Sequence, residues 1–324
     1  MRRILVTGAG GFIGSHLVEL LVAKGYDVKA FVHYNSSNTW GWLDSSTVKN
    51  DVEVISGDIR DMDSVYAAMQ GCDSVFHLAA LIGIPYSYVS PQAYIKTNID
   101  GTYNVLQAAR QLGVAKIMVT STSETYGTAQ YVPIDEGHPM VGQSPYSATK
   151  IGADQLAISY FKSFDLPVKI VRPFNTFGPR QSARAIIPTV ISQILSGKTK
   201  LNLGNLTPTR DLTFVKDTAN GFLQIALADG LFGEITNIGM RKEITIGDLV
   251  KLIAKLIGTA VEIHSDEQRI RPDKSEVERL YCNNSKIIAN TQWTPAFTLE
   301  SGLSETIEWI KSNLSYFKTD IYNV

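Results

Sequence analysis

The run Val6-Thr7-Gly8-Ala9-Gly10-Gly11-Phe12-Ile13-Gly14 closes a β-rich segment and opens a helix-patterned one, and this junction restricts the fold more than any other feature of the chain. Glycines at 8, 11 and 14 permit a tight turn, close approach of the backbone to a pyrophosphate, and tight packing of helix on strand. The helix start then offers unpaired N–H groups and the positive end of its dipole to phosphate oxygens. Gly8, Gly11, Phe12, Ile13 and Gly14 are therefore the expected cofactor loop. A glycine-rich turn without a ligand is the plain alternative, and the strand–helix alternation that follows argues against it.

Strands are expected at Arg3–Thr7, Val28–His33, Val52–Ser56, Ser74–Leu78, Lys116–Thr120 and Val168–Arg172. Helices are expected near Phe12–Lys24, Asp61–Met69, Tyr94–Leu112 and Tyr146–Ser163. This alternation predicts an α/β fold, a doubly wound Rossmann-type parallel sheet covered on both faces. After Arg172-Pro173 the pattern loosens into helical runs at about Ile186–Leu195, Thr218–Leu227, Ile246–Ile257 and Leu299–Asn313. At 324 residues the chain exceeds the size at which one core usually stops growing. The expected division is an NAD(P)-binding domain over 1–172 and a smaller C-terminal substrate lobe over 173–324, with Ile235–Ile238 returning to the main sheet.

The net charge of −1 gives no electrostatic case for nucleic acid or an anionic membrane. No apolar run approaches the ~18 residues of a spanning helix. Met1-Arg2-Arg3-Ile4 enters a strand at once, which leaves no room for a signal peptide. Cys72 and Cys282 lack ligand spacing and fit a reducing compartment, and the five histidines form no metal-like cluster. The expected setting is cytoplasmic, without a metal.

A fold selective for NAD usually ends its second strand on an acid about 20 residues past the loop. Here that place holds His33-Tyr34-Asn35-Ser36-Ser37-Asn38, with neither an acid for a ribose hydroxyl nor an arginine for a 2′-phosphate. The choice between NAD and NADP stays open, leaning to NAD. Asp58 and Ile59, after the third strand, are placed to meet the adenine edge; an ordinary turn aspartate is the competing reading.

Of fourteen tyrosines only Tyr146 has a lysine four positions on. Ser144-Pro145 before it resembles a helix start, and positions i and i+4 share a helix face. An ammonium beside a phenol favours phenolate, so Tyr146 is the expected base for a sugar hydroxyl, with Lys150 also holding the nicotinamide ribose. Upstream, Ser121-Thr122-Ser123-Glu124 follows a strand end, where reacting groups gather in an open α/β sheet. Thr122 is placed to bond the oxygen being oxidised. Glu124 is placed to take a proton from a carbon acidified by a neighbouring ketone. A dehydrogenase needs only the Tyr/Lys pair, so the acid implies a second chemical step.

Taken together, the chain resembles the extended short-chain dehydrogenase/reductase family, in its nucleotide-sugar 4,6-dehydratase and epimerase branch. The likeness rests on Thr7–His16, Gly57–Asp61, His77–Ala80, Asn98–Thr102, Ser121–Gly127, Tyr146–Lys150, Arg172–Asn175, Phe177–Arg180 and Arg210–Thr213 in that order. It implies a seven-stranded sheet, tightly bound NAD or NADP, and a homodimer joined through the helices near Tyr94–Leu112 and Tyr146–Ser163. It further implies cofactor contacts from Leu78, Ala79, Ala80, Asn98 and Pro173, and nucleotide or diphosphate contacts from Asn175, Arg184, Arg210 and Arg271. Ser87 corresponds to a residue that touches the hexose.

The implied cycle oxidises C4 with Tyr146 taking the hydroxyl proton, removes the C5 proton through Glu124 as water leaves C6, and returns the hydride to C6. Ser123 stands where some dehydratases carry an aspartic acid, which leaves the acid for water departure open, Glu124 being one candidate. His33–Leu43, Ala80–Tyr88 and Gln181–Ala185 resemble the GDP-N-acetylglucosamine 4,6-dehydratases of legionaminic acid synthesis. A UDP-glucuronate decarboxylase, a 4-epimerase and a non-catalytic NAD(P)-sensing protein are the competing readings. The decarboxylase would need a basic group near C6, and the sequence identifies none.

Overall fold

The computed structural model describes residues 1–266, 269 and 272–319. Seven strands form one parallel sheet: β1 (Arg3–Thr7), β2 (Asp27–His33), β3 (Glu53–Gly57), β4 (Ser74–His77), β5 (Lys116–Thr120), β6 (Val168–Pro173) and β7 (Ile235–Ile238). Their order is β7-β6-β5-β4-β1-β2-β3. Ile4 of β1 faces Val28 of β2 on one side and Ser74 of β4 on the other. The strand order reverses between β1 and β4, so the crevice for a ligand opens there.

Alternation along the strands divides the apolar residues between two cores. Ile4, Val6, Val28, Ala30, Phe76 and Met118 face helices α1 (Phe12–Ala23), through Leu17, Val18 and Leu21, and Val215–Leu227, through Ala219 and Phe222. Leu5, Phe31, Val75, Ile117 and Ile170 point the other way. They meet α2 (Met62–Met69), α3 (Gly101–Leu112) and α4 (Pro145–Phe164). A third core joins α5 (Ile186–Leu195), α7 (Ile246–Ile257) and α8 (Leu299–Ser312) around Phe177, Leu201 and Phe214; α6 is the Val215–Leu227 helix.

β7 pairs with β6 in the main sheet, where Ile235–Ile238 was expected to return from beyond residue 172. Helix α6 packs on the same sheet, and so does Trp293, whose indole N–H donates to Asp217 O at 2.9 Å while its ring sits in the first core. Apolar burial, not chain order, allots these later segments. Periodicity also hides the short strands Asn175–Phe177, Lys200–Leu203 and Leu212–Phe214, which are too brief to show alternation.

Two local features place the site. The start of α4 is held by a reciprocal cap: Ser147 N donates to Ser144 Oγ at 3.1 Å and Ser144 N to Ser147 Oγ at 3.0 Å, with Pro145 in the first turn. Ahead of α3, the long helix expected from Tyr94 is continuous and carries a π turn at Ile95–Asp100. That turn aims Asn98 at the loop after β4, where it takes Leu81 N at 2.9 Å and donates to Leu81 O at 3.0 Å.

Candidate active site

A cavity of about 780 Å³ opens at the carboxyl ends of β1, β2, β4, β5 and β6. Its floor is the glycine loop. Gly8 has φ +69°, and a Cβ there would come within 2.8 Å of Ala79 N; a Cβ on Gly14 would meet Gly8 O at 2.2 Å. These two glycines answer to packing inside the protein. At Gly11 a Cβ would meet only Gly8 O, at 3.1 Å, and Gly11 lines the cavity. Helix α1 begins there with no side-chain cap and no acid in its first turn, so its free N–H groups remain for an outside anion. Phe12, Ile13, Gly14, Leu78, Ala79, Ala80 and Pro173 also line this part. The arrangement fits a dinucleotide.

Three expected cofactor contacts lie elsewhere. Asp58 and Ile59 are not on the cavity wall: Arg60 Nε holds the Asp58 carboxylate at 2.9 Å, and Ile59 is buried in the second core. Arg60 also holds Asp58 well down, at about 2, so this is a salt-bridged turn acid. Asn98 stands behind the wall and acts on the cavity through Leu81. At the end of β2 the lining comes instead from His33, Asn35, Thr39 and Trp40. Asn35 is occupied there, donating to Thr39 O at 2.8 Å.

At the reacting end, Thr122, Ser123, Glu124, Tyr146 and Lys150 all line the cavity. A short turn, Ser123–Tyr126, follows β5, and Thr122 starts it by accepting Glu124 N at 3.3 Å. Tyr146 packs edge-on to Tyr94, with ring centres 6.2 Å apart. Burial pushes the Tyr146 phenol above its ordinary range; a hydrogen bond to Thr122 pulls it back and the nearby Glu124 charge pushes it further up. The expected lowering by Lys150 is not what the geometry produces. Lys150 Nζ donates to Thr120 O at 2.5 Å, and burial lowers it to about 8.

Further out, Asn175, Arg184 and Arg210 line the cavity. Arg210 meets Glu276 at 3.3 Å, and Asn175 Oδ1 is buried without a partner. Glu276 and Arg269, which carry no motif of their own, are wall residues the sequence did not mark, and Gln181, named there only within a resembling segment, joins them. Gln181 Oε1 is a second buried, unpartnered acceptor. Ser87 is fully buried and absent from the wall; its hydroxyl donates to Ile84 O at 2.6 Å, so it is spent on its own helix. Arg271 lies outside the described residues. Among the described residues no group of histidine, cysteine and acidic side chains forms a metal site, and no helix is long and apolar enough to cross a membrane.

Residues 5–306 match the family model described as GDP-mannose 4,6 dehydratase. The chain is 30% identical over 315 residues to a putative UDP-glucose 4-epimerase of Methanocaldococcus jannaschii, covering 96% of this chain and 99% of that one. It is also 30% identical to UDP-glucuronic acid decarboxylase 1 of Xenopus tropicalis, over 99% of this chain and 75% of that one. Among solved structures it is similar to DesIV, a dTDP-glucose 4,6-dehydratase from Streptomyces venezuelae with NAD and TYD bound, at 29% identity and a TM-score of 0.87. That match covers 98% of this chain and 99% of the other. The chain belongs to the GDP-mannose 4,6 dehydratase family, within the extended short-chain dehydrogenases/reductases that act on nucleotide sugars.

Proposed function

We propose that this protein is a nucleotide-sugar 4,6-dehydratase that converts an NDP-hexose to its 4-keto-6-deoxy product with tightly bound NAD. The observation that carries this reading is that Glu124 and Tyr146 line one cavity, close enough for the Glu124 charge to bear on the Tyr146 phenol. One hexose can therefore reach both. NAD supplies a hydride acceptor that later serves as donor, so the cycle has no net redox change.

The chain's own groups handle the protons. Tyr146 Oη receives the C4 hydroxyl proton, with Thr122 as its hydrogen-bond partner. Burial holds that proton on the phenol in the free protein, so ionisation needs added cationic charge; Lys150, one turn along the same helix, is proposed to supply it once cofactor and substrate are bound. Glu124 takes the C5 proton once C4 is a ketone. Ser123 is buried beside it and carries no acidic proton of use at neutral pH, which leaves Glu124, protonated by that step, to assist departure of the C6 hydroxyl.

For the substrate we propose a GDP- or UDP-N-acetylglucosamine type. The three segments that resemble the dehydratases of legionaminic acid synthesis all reach the cavity wall, through His33–Gly41, Ala80–Pro85 and Gln181–Ala185. Asn175, Arg184, Arg210 and, by resemblance, Arg271 are proposed to hold the nucleotide and diphosphate. The proposed assembly is a homodimer.

A second reading rests on Arg184. A Cβ on Gly83 would lie 3.1 Å from Arg184 Nη1, and the Arg184 charge bears on the Tyr94 hydroxyl, beside Tyr146. This is the basic group that a C6 carboxylate would need in a decarboxylase. One experiment separates the readings: purified protein incubated with UDP-, GDP-, CDP- and dTDP-sugars, uronates included, without added cofactor. Mass spectrometry should show loss of about 18 Da. Loss of about 44 Da from a uronate alone would replace the dehydratase reading with decarboxylation, and isomerisation without mass change would replace it with epimerisation.

A further inference from the structure

We propose that the buried Asp154–Arg172 pair, bridged by Ser121, is a positioning device that sets the charge and aim of Lys150. The inference rests on the reading of Lys150 as the cation beside Tyr146. Tyr146, Lys150 and Asp154 recur every four residues along α4 and so share one face. The first two reach the cavity, and Asp154 lies beneath it, fully buried.

Arg172, from the end of β6, is also fully buried and meets Asp154 Oδ2 at 2.7 Å. Ser121 Oγ donates to the same oxygen at 2.6 Å and accepts from Arg172 Nε at 3.1 Å. The residue before it, Thr120, accepts a hydrogen bond from Lys150 Nζ through its backbone carbonyl at 2.5 Å. One corner of chain at the end of β5 therefore ties the lysine to the ion pair. Ser121 N also donates to Val171 O at 2.7 Å, which fixes that corner against β6.

A buried ion pair is seldom retained for stability, since matched apolar side chains serve as well or better. This pair is moreover incomplete: Asp154 Oδ1 and Arg172 Nη1 are buried without partners. Its charges are thus not saturated and act on neighbours. Asp154 on the lysine's own helix and Arg172 from β6 act on the Lys150 charge, which in turn acts on His77 from β4, while Tyr146 on its helix face and Glu124 line the same cavity. His77 is fully buried, pushed down to about 3, and neutral. Burial disfavours the Lys150 charge, Asp154 restores it, and Arg172 opposes it more weakly. Arg172 is itself held over the Tyr126 ring, 4.4 Å from its centre, and Tyr126 is fixed by Asn237 at 2.8 Å.

The test reads the lysine directly. Competitive acetylation with trace acetic anhydride across a pH series, followed by peptide mass spectrometry, gives the titration of Lys150 in the protein without substrate. Asp154→Asn should shift that titration down by a unit or more, and Arg172→Met should shift it up, although both variants lose stability by leaving a buried charge unpaired. Asp154→Glu should restore most of the wild-type value. A merely structural pair would move both variants in one direction or neither, and that result overturns the proposal. If either single variant does not fold, Asp154→Leu combined with Arg172→Met removes both charges at once. Lys150 should then titrate lower than in the wild type, and an unchanged value overturns the proposal equally. These readouts do not depend on which sugar the protein converts, so they stand or fall separately from the mass-loss experiment.

Discussion

At the scale of single residues, Glu124 distinguishes this site from that of a simple dehydrogenase. Glu124→Gln keeps the size of the side chain and removes the base, so cofactor content and C4 oxidation should persist while formation of the 4-keto-6-deoxy product falls by about 10²-fold or more. Single-turnover analysis of the sugar would check this, and an undiminished rate of dehydration would remove Glu124 from the role of C5 base. That Tyr146, Lys150 and Glu124 meet at one cavity was readable because each follows a local signal: a helix start, a four-residue spacing, a strand end. Ser87 and Asp58 were not, since what decides them is a competing partner, Ile84 O for one and Arg60 for the other. Gln181 entered only as part of a resembling segment, and its burial with an unpartnered acceptor at the cavity wall is what singles it out.

At the scale of elements, helix α4 carries the site on its first turns, so its cap bears on chemistry as well as stability. Ser144→Ala removes an acceptor for Ser147 N and should lower unfolding free energy by about 1 kcal/mol, measured by urea denaturation. A smaller relative effect on cofactor content than on turnover is expected, because Tyr146 sits in the turn that the cap fixes. The strands show where element reading stops short. Lys29 in β2 and Lys169 in β6 look like solvent-facing positions, yet both are buried. Lys29 Nζ donates to Gln70 O at 3.0 Å past the end of α2, and Lys169 Nζ to Ile225 O at 2.9 Å near the end of α6. Each brings a positive charge to the negative end of a helix and satisfies carbonyls that would otherwise be orphaned. Nothing in the strand sequence indicates which helix end will stand opposite.

At the scale of the whole molecule, Ile95, Tyr103 and Phe164 leave apolar surface exposed on the two helical segments through which a dimer is proposed. Light scattering after size exclusion should give the mass of two chains, and Tyr103→Glu should reduce it toward the 35.6 kDa of one. A wild-type chain that elutes at a single-chain mass at micromolar concentration would remove that assembly. The sheet, its two faces and the glycine-rich turn into α1 were determined by sequence alone, because strand alternation, helical periodicity and glycine placement act over a few residues at a time. Tertiary structure alone decided that α6 and Trp293 rejoin the first core, that Arg184 stands beside Tyr94, and that Arg172 lies beneath Lys150. Those pairings join positions far apart in the chain, where burial and charge select a partner only after the backbone has brought the candidates together.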